Sequence, residues 1–306
     1  MTAARITVGI LTFRRPEGLA STLPLVLEQV AQVPGAEVLV VDNDSEPSAR
    51  DVVDRLREAG DPVRYVHEPE PGIVAGRNRA LDEATGDVLI FLDDDERPSP
   101  GWLDAMLGAH ERFGGAGVVG PVLGEIEGEL DPWIAAGRFF ERKRYPTGTV
   151  LPLAGTGNLL LDLPSVREHG TRFDDAFRVS GGSDTAFTSE LTAAGGRLFW
   201  CDEAAVLDVV PAERATRRWV LRRAFRSGNS RVRVAVHQAP STVAQLGRRA
   251  RGASAGVVRI GGGALRAAVG TVARRPGHQA RGVRTAARGA GMVAAAFGGV
   301  YEEYRR

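Results

Sequence analysis

Three consecutive carboxylates, Asp93, Asp94 and Asp95, follow directly on a short apolar run, Asp87-Val88-Leu89-Ile90-Phe91-Leu92. The run is preceded by Gly86 and includes β-branched residues, so it reads as a strand buried on both faces with the acids at its carboxyl end. Side chains alternate along an extended chain, which predicts that Asp93 and Asp95 face one way and Asp94 the other. Two hard oxygen donors on one side, with no Cys or His nearby, suit Mg²⁺ or Mn²⁺ better than zinc. A solvated turn is the competing explanation, since Asp is common in turns. Three like charges crowded against a buried strand nevertheless repel one another unless a cation offsets them. Ser99-Pro100 just beyond predicts a helix start, with Ser as the cap and Pro in the first turn.

The elements that must position these acids are legible on either side. Arg5 to Thr12 reads as a first buried strand, Glu37 to Asp42 as a second that also ends in an acid, and Val63 to His67 as a third. Helical patterns fall between them, through Leu19 to Val30, over about 47–59, and over 74–84. Strands alternating with helices imply an α/β fold with a mostly parallel sheet covered on both faces. Ligands of such sheets bind beyond the carboxyl ends of the strands. Thr12, Asp42 and the acid triplet all fall there.

Four segments then carry a resemblance. Val8-Gly9-Ile10-Leu11-Thr12-Phe13-Arg14-Arg15, Leu39-Val40-Val41-Asp42-Asn43-Asp44-Ser45, Gly72-Ile73-Val74-Ala75-Gly76-Arg77-Asn78 and Phe91-Leu92-Asp93-Asp94-Asp95 stand in the order and spacing of family 2 glycosyltransferases of GT-A fold. The resemblance covers about residues 5–230, with Phe13-Arg14-Arg15 where Tyr-Asn-Arg is commoner. It implies that Thr12, Arg14, Asp42, Arg77, Asp93 and Asp94 bind the nucleotide-sugar donor, Asp42 through the base. It also implies that Asp95, with Asp93, ligates the metal bridging the diphosphate. A bound divalent cation would neutralise the leaving group as the glycosidic bond breaks.

Further along, Ala154 to Leu161 resembles the family strand beneath the donor sugar, which would bring Gly157 and Asn158 close to it. The segment Phe173 to Phe187 is similar to the family signature in which an acid after two glycines opens a helix and serves as catalytic base. That position is Asp184, and Ser183 stands where Glu is usual. Helix capping is the alternative role for Asp184, and the two are compatible. One base opposite one leaving group implies single displacement with inversion. Asp208 stands where many relatives have a His ligand, and either supplies an oxygen to the metal or is a surface acid. Arg218, Arg222 and Arg226 recur every fourth residue and share a helix face. The aromatics Trp133, Phe139, Phe140 and Tyr145 suit packing better than stacking on an acceptor.

Composition sets the outer bounds. The chain has 306 residues and a formal net charge of +1. That value conceals about +18 in residues 214–306, which hold 20 Arg and 2 acids, against about −17 in the remainder. The expected division is a catalytic domain over 1–235 and an Arg/Ala/Gly-rich helical tail over 236–306. Such a tail suits contact with an anionic membrane, or else is mobile and loosely packed. It lacks the interleaved aromatics of a nucleic-acid module, so no nucleic-acid partner is expected. The only cysteine, Cys201, excludes an internal disulfide framework. No signal-peptide apolar region precedes the first strand and no apolar run reaches spanning length, which suits a cytoplasmic protein, peripheral at most on the inner face of the cell membrane.

The expected partners are thus a nucleotide-sugar donor and a glycan, lipid-linked or small-molecule acceptor. Two rival readings are a sugar-nucleotide nucleotidyltransferase and a non-catalytic nucleotide-sugar binding module. The first should carry a Gly-rich phosphate loop after the first strand, and Thr12 to Gly18 is not one. Fold alone does not exclude the second.

Overall fold

A computed structural model describes residues 5–178 and 180–302. Met1 to Ala4, the segment expected to hold no leader, and Val179, within the Phe173 to Phe187 signature, lie outside them. The described residues form two compact units.

The first unit holds residues up to Leu123, Arg142–Arg178 and Ser183–Val209. Its chain runs β1 (Ile6–Thr12), α1 (Pro16–Val30), β2 (Ala36–Asp42), α2 (Arg50–Glu58), β3 (Val63–His67), α3 (Ile73–Glu83), β4 (Val88–Asp93), β5 (Glu96–Pro98), α4 (Trp102–Phe113) and β6 (Gly117–Val119). Past β7 (Val122–Ile126), most of which belongs to the second unit, and α5 (Pro132–Gly137), all of which does, the first unit resumes with β8 (Val150–Leu151), β9 (Asn158–Asp162), α6 (Leu163–Glu168), a 3₁₀ turn at Asp175–Phe177, α7 (Ser183–Ala193), β10 (Leu198–Trp200) and β11 (Val206–Val210). Eight strands form one sheet in the order β3-β2-β1-β4-β9-β6-β10-β8. Strands β3, β2, β1 and β4 run parallel, whereas β9 is antiparallel to β4 and β6. The mostly parallel α/β sheet expected from the sequence is therefore present.

Burial explains the layering. Val8, Ile10, Val38, Val40, Ile90 and Leu92 point to one face, against Leu19, Leu23 and Val26 of α1 and Trp102, Leu103 and Met106 of α4. Leu39, Val41, Leu89 and Phe91 point to the other, against Val74 and Ala80 of α3 and Phe187 and Leu191 of α7. Strands buried on both faces need continuous apolar runs rather than alternation, which is what β1, β2 and β4 supply. One expected boundary differs. Helix α4 begins at Trp102 with Gly101 as its cap at φ 75°, and no side chain caps it. Ser99 and Pro100 precede it because β5 occupies the residues just after the acids, where Glu96 to Pro98 pairs antiparallel with β11.

The second unit comprises Gly124–Glu141, residues 180–182, and Val210 onward among the described residues. It contains α8 (Arg217–His237), α9 (Thr242–Val272) and α10 (Pro276–Ala296). Its composition follows from close helix contact. A Cβ on Gly228 of α8 would collide with the Arg288 carbonyl of α10, and one on Gly291 of α10 with the Phe225 carbonyl of α8. Gly256 and Gly263 of α9 face Gly289 and Gly282 of α10 in the same manner. The tail is thus helical and tightly packed rather than loose, because small residues let the backbones approach. The composition break at 235/236 falls inside α8.

Candidate functional site

The acids at the end of β4 do not alternate as an extended strand would place them. The chain leaves the strand at Asp93 and turns through Asp94 and Asp95 before re-entering extended structure at Glu96. Asp94 and Asp95 are consequently both drawn to Arg15, whose Nη1 donates to Asp94 Oδ1 at 3.2 Å and to Asp95 Oδ2 at 2.7 Å. Asp94 Oδ2 also accepts from Thr12 Oγ1 at 2.8 Å, and Asp94 is buried. The turn replaces the expected strict alternation of the three acids. Asp95 is turned to Arg15 while its charge still acts on Asp93, and Asp94 is an internal anchor tying β4 to Thr12 and to the start of α1. Burial works against the Arg15 charge, but the two carboxylates more than offset it and raise its pKa.

Asp93 is instead partnered with Glu96, whose Oε2 accepts from the Asp93 N–H at 3.2 Å. Glu96 is buried, and Asp208 lies opposite it in the β5–β11 register. Asp208 is half-buried and accepts from Arg142 Nη2 at 2.7 Å. Asp93 keeps access to solvent at the end of its strand yet is densely surrounded, and that burial pushes its pKa up to about 6. Arg77 acts in the opposite sense on Asp93, and the charges of Asp95, Asp94 and Asp208 add to the rise. Burial, then the charge of Asp93, lifts Glu96 well above the usual carboxylate range. Sequence reasoning does not single out Glu96. Its signal is present, a fourth acid three residues beyond Asp93, but it is inconspicuous unless the intervening turn is known.

The loop before β9 runs close against these acids, near enough that only glycine fits at position 157. A Cβ on Gly157 would stand 2.7 Å from Glu96 Oε1 and 3.0 Å from Asp93 Oδ2. Two residues earlier, a Cβ on Gly155 would stand 3.4 Å from Asp184 Oδ2. Asp184 sits in the first turn of α7, and its Oδ1 accepts from the Thr185 N–H at 2.7 Å. Thr188 on the next turn fixes that helix to the loop: its hydroxyl donates to the Ala154 carbonyl at 2.9 Å and accepts from the Ala154 N–H at 3.0 Å. Arg77 on α3 completes the arrangement. Its Nη1 donates to Ser183 Oγ at 2.6 Å, and its guanidinium lies 5.5 Å from the Phe173 ring centroid. Thus Asp184, Gly155, Gly157, Asp93, Glu96 and Arg77 converge on one side of the sheet's carboxyl ends.

Two other expected donor residues are turned inward. Asp42 is fully buried, with Oδ2 accepting from the Ala49 N–H at 2.7 Å and from Tyr65 Oη at 2.9 Å, and Oδ1 from Ser48 Oγ at 3.3 Å. These bonds pin the loop after β2, so the carboxylate is not presented to a nucleobase. Asn158 is likewise buried and spends its amide internally. Its Oδ1 accepts from Trp102 Nε1 at 2.8 Å, and its Nδ2 donates to the Pro121 and Ala204 carbonyls. It cannot reach a donor sugar without abandoning three buried hydrogen bonds. Thr12 too is buried, against Asp94. Arg14, by contrast, is exposed, and its backbone takes φ 55°, a region few residues other than glycine occupy. A forked pair of bonds from its Nε to Asp44, at 3.0 and 3.2 Å, holds it there. Burial alone would raise the Asp44 pKa, but Arg14 and the Ser45 N–H hold it below the usual range.

Among the described residues, no three His, Cys, Asp or Glu side chains converge as a ready-made metal cage. None of their helices is long and apolar enough to cross a membrane.

Comparison with known proteins agrees with this architecture. The family model for glycosyl transferase family 2 matches residues 7–162. The succinoglycan biosynthesis protein ExoM of Rhizobium meliloti is 38 % identical over 236 residues, which span 76 % of each chain. A Campylobacter jejuni GalNAc(5)-diNAcBac-PP-undecaprenol beta-1,3-glucosyltransferase is 30 % identical over 129 residues, 41 % of this chain and 40 % of that one. Among solved structures, the mannosyltransferase PcManGT of Pyrobaculum calidifontis, in complex with GDP-Man and Mn²⁺, superposes with a TM-score of 0.65 at 19 % identity, covering 96 % of this chain and 88 % of its own.

Proposed function

The chain belongs to glycosyl transferase family 2, and on that premise we propose that it is an inverting, divalent-metal-dependent transferase that moves a sugar from a nucleoside-diphosphate donor to an acceptor hydroxyl. The observation that carries this reading is the loop through Gly155 and Gly157, which approaches Asp184 at one glycine and the Asp93–Glu96 pair at the other. A sugar seated over the two glycines would have a proton acceptor on one side and a diphosphate-binding region on the other. Asp184 takes the proton of the acceptor hydroxyl as its oxygen bonds to the anomeric carbon, while the bond from that carbon to the diphosphate oxygen breaks. One displacement inverts the anomeric centre.

The acids present fit Mg²⁺ or Mn²⁺. Asp93 and Glu96 stand side by side, Glu96 Oε2 accepting from the Asp93 N–H at 3.2 Å, and burial raises the proton affinity of both, the charge of Asp93 adding to the rise at Glu96. Magnesium commonly takes one or two carboxylates and completes its shell with substrate phosphates and water, so no protein cage is needed. Asp93 would hold the ion with Glu96 beside it, Asp208 and Asp95 standing by once released from Arg142 and Arg15. Bound there, the ion would neutralise charge developing on the leaving diphosphate. Arg77 and Arg14 supply the cationic side of the donor site. The acceptor class is a glycan, a lipid-linked saccharide or a small natural product, reached by peripheral contact of the basic second unit with an anionic membrane.

Release of nucleoside diphosphate from a panel of nucleotide sugars, with and without Mn²⁺, tests the assignment. Metal-dependent release that rises with a suitable acceptor is expected. Pyrophosphate release, or binding with no turnover on any donor, would overturn it.

A further inference from the structure

Helix α9 is 31 residues long, about 46 Å at 1.5 Å per residue. Its packed side is a line of glycines, Gly252, Gly256, Gly263 and Gly270. Its other side is apolar and uncovered: Val243, Leu246, Val257, Val258, Leu265, Val269 and Val272 are all exposed, Val272 by 87 %. At about 100° per residue these seven fall within an arc of roughly 140°, centred almost opposite the glycines. Beside Gly247, Gly261 and Gly262 an added Cβ would meet nothing within 4 Å, so the same side is open along its length. Arg251 and Arg266 are exposed along one edge of the arc, whereas Arg248 and Arg259 are half-buried, Arg248 donating to the Ala235 carbonyl of α8 and Arg259 lying against Gly289 of α10. Residues 242–296 contain ten arginines and no carboxylate.

We propose that this face of α9 lies in the surface of a bilayer rich in anionic phospholipid, with its valines and leucines among the upper acyl chains and its arginine edge against the headgroups. An apolar arc bordered by arginine along a helix too polar to span is the pattern of an interfacial helix. The charge decides the occupant. A second copy would add another basic segment with no acid to pair it, whereas an anionic leaflet complements both features of the face. The inference deepens the membrane contact proposed above. Donor turnover with a soluble acceptor does not depend on it, so its failure leaves the transferase reading standing.

The test is flotation of the full chain with vesicles of phosphatidylcholine containing about a third phosphatidylglycerol, beside pure phosphatidylcholine. Association with the anionic vesicles is expected, and the double variant V258S/L265S should lower the partition coefficient at least tenfold with an unchanged melting temperature. Leu265→Cys, labelled with an environment-sensitive dye, should shift to the blue on those vesicles alone; Cys201 is buried. The proposal is overturned by a parent chain that stays with the aqueous phase, by a double variant that binds as well as the parent, or by a dye that reports no change. Light scattering that shows a dimer lost in the double variant would also overturn it, in favour of a second copy.

Discussion

At the residue scale, the run Asp93 to Glu96 divides its labour by direction. Asp94 and Asp95 are anchored to Arg15, while Asp93 and Glu96 lie close against Gly157. Glu96→Gln should therefore weaken Mn²⁺-dependent binding of the nucleoside diphosphate more than Asp95→Asn does, as calorimetric titration with and without metal would show. Equal losses would return Asp95 to the role of principal ligand. Asp184→Asn should leave donor affinity within a factor of about two while transfer falls by about 10²–10⁴, the usual contribution of a general base. Undiminished transfer would remove Asp184 from that role. Asn158 belongs to a different class. Replacing it with Ala strands Trp102 Nε1 and two backbone carbonyls, so urea denaturation should show a loss of about 2–4 kcal/mol. Donor affinity in the surviving folded fraction should be unchanged, which a sugar contact would not allow.

At the scale of elements, the sequence pattern located β1 to β4 within one residue and the helices between them within three, because central parallel strands need unbroken apolar runs and the helices need one apolar stripe. It did not locate β5, three residues whose only distinguishing feature is pairing with a strand more than a hundred positions away. The tail shows a second limit. Gly and Ala read as weakness when composition is taken alone, yet Gly256, Gly263 and Gly270, and Gly282 and Gly289, recur every seven residues and form the seam between α9 and α10. That period was available in the sequence. Gly263→Val should drive a side chain into the backbone of α10 and cost about 1–3 kcal/mol or more, read as a lowered melting temperature. Gly261→Val, on the open side, should cost far less, chiefly changed helix propensity. A comparable loss at both positions would argue against the seam.

At the scale of the whole molecule, the +1 net charge is the difference of two large terms, and the basic one is concentrated in residues 214–306. Attraction of that segment to an anionic surface should weaken steeply with salt, since the screening length falls from about 10 Å at 0.1 M to about 3 Å at 1 M. Vesicle partition should drop several-fold over that range without vanishing, the remainder being apolar. The sequence by itself determined the family, the mostly parallel sheet and the charge asymmetry, because these follow from local pattern and spacing. Only the tertiary structure decided which way the acids point. A turn after Asp93 and the reach of Arg15 tied Asp94 and Asp95 to the start of α1 and brought Glu96 beside Asp93, while the loop after β2 and Tyr65 claimed Asp42, and Trp102, Pro121 and Ala204 claimed Asn158, for the interior. Hydrogen-bonding capacity is a property of a residue, but whether it is spent inside the protein or offered to a ligand depends on neighbours remote in the chain.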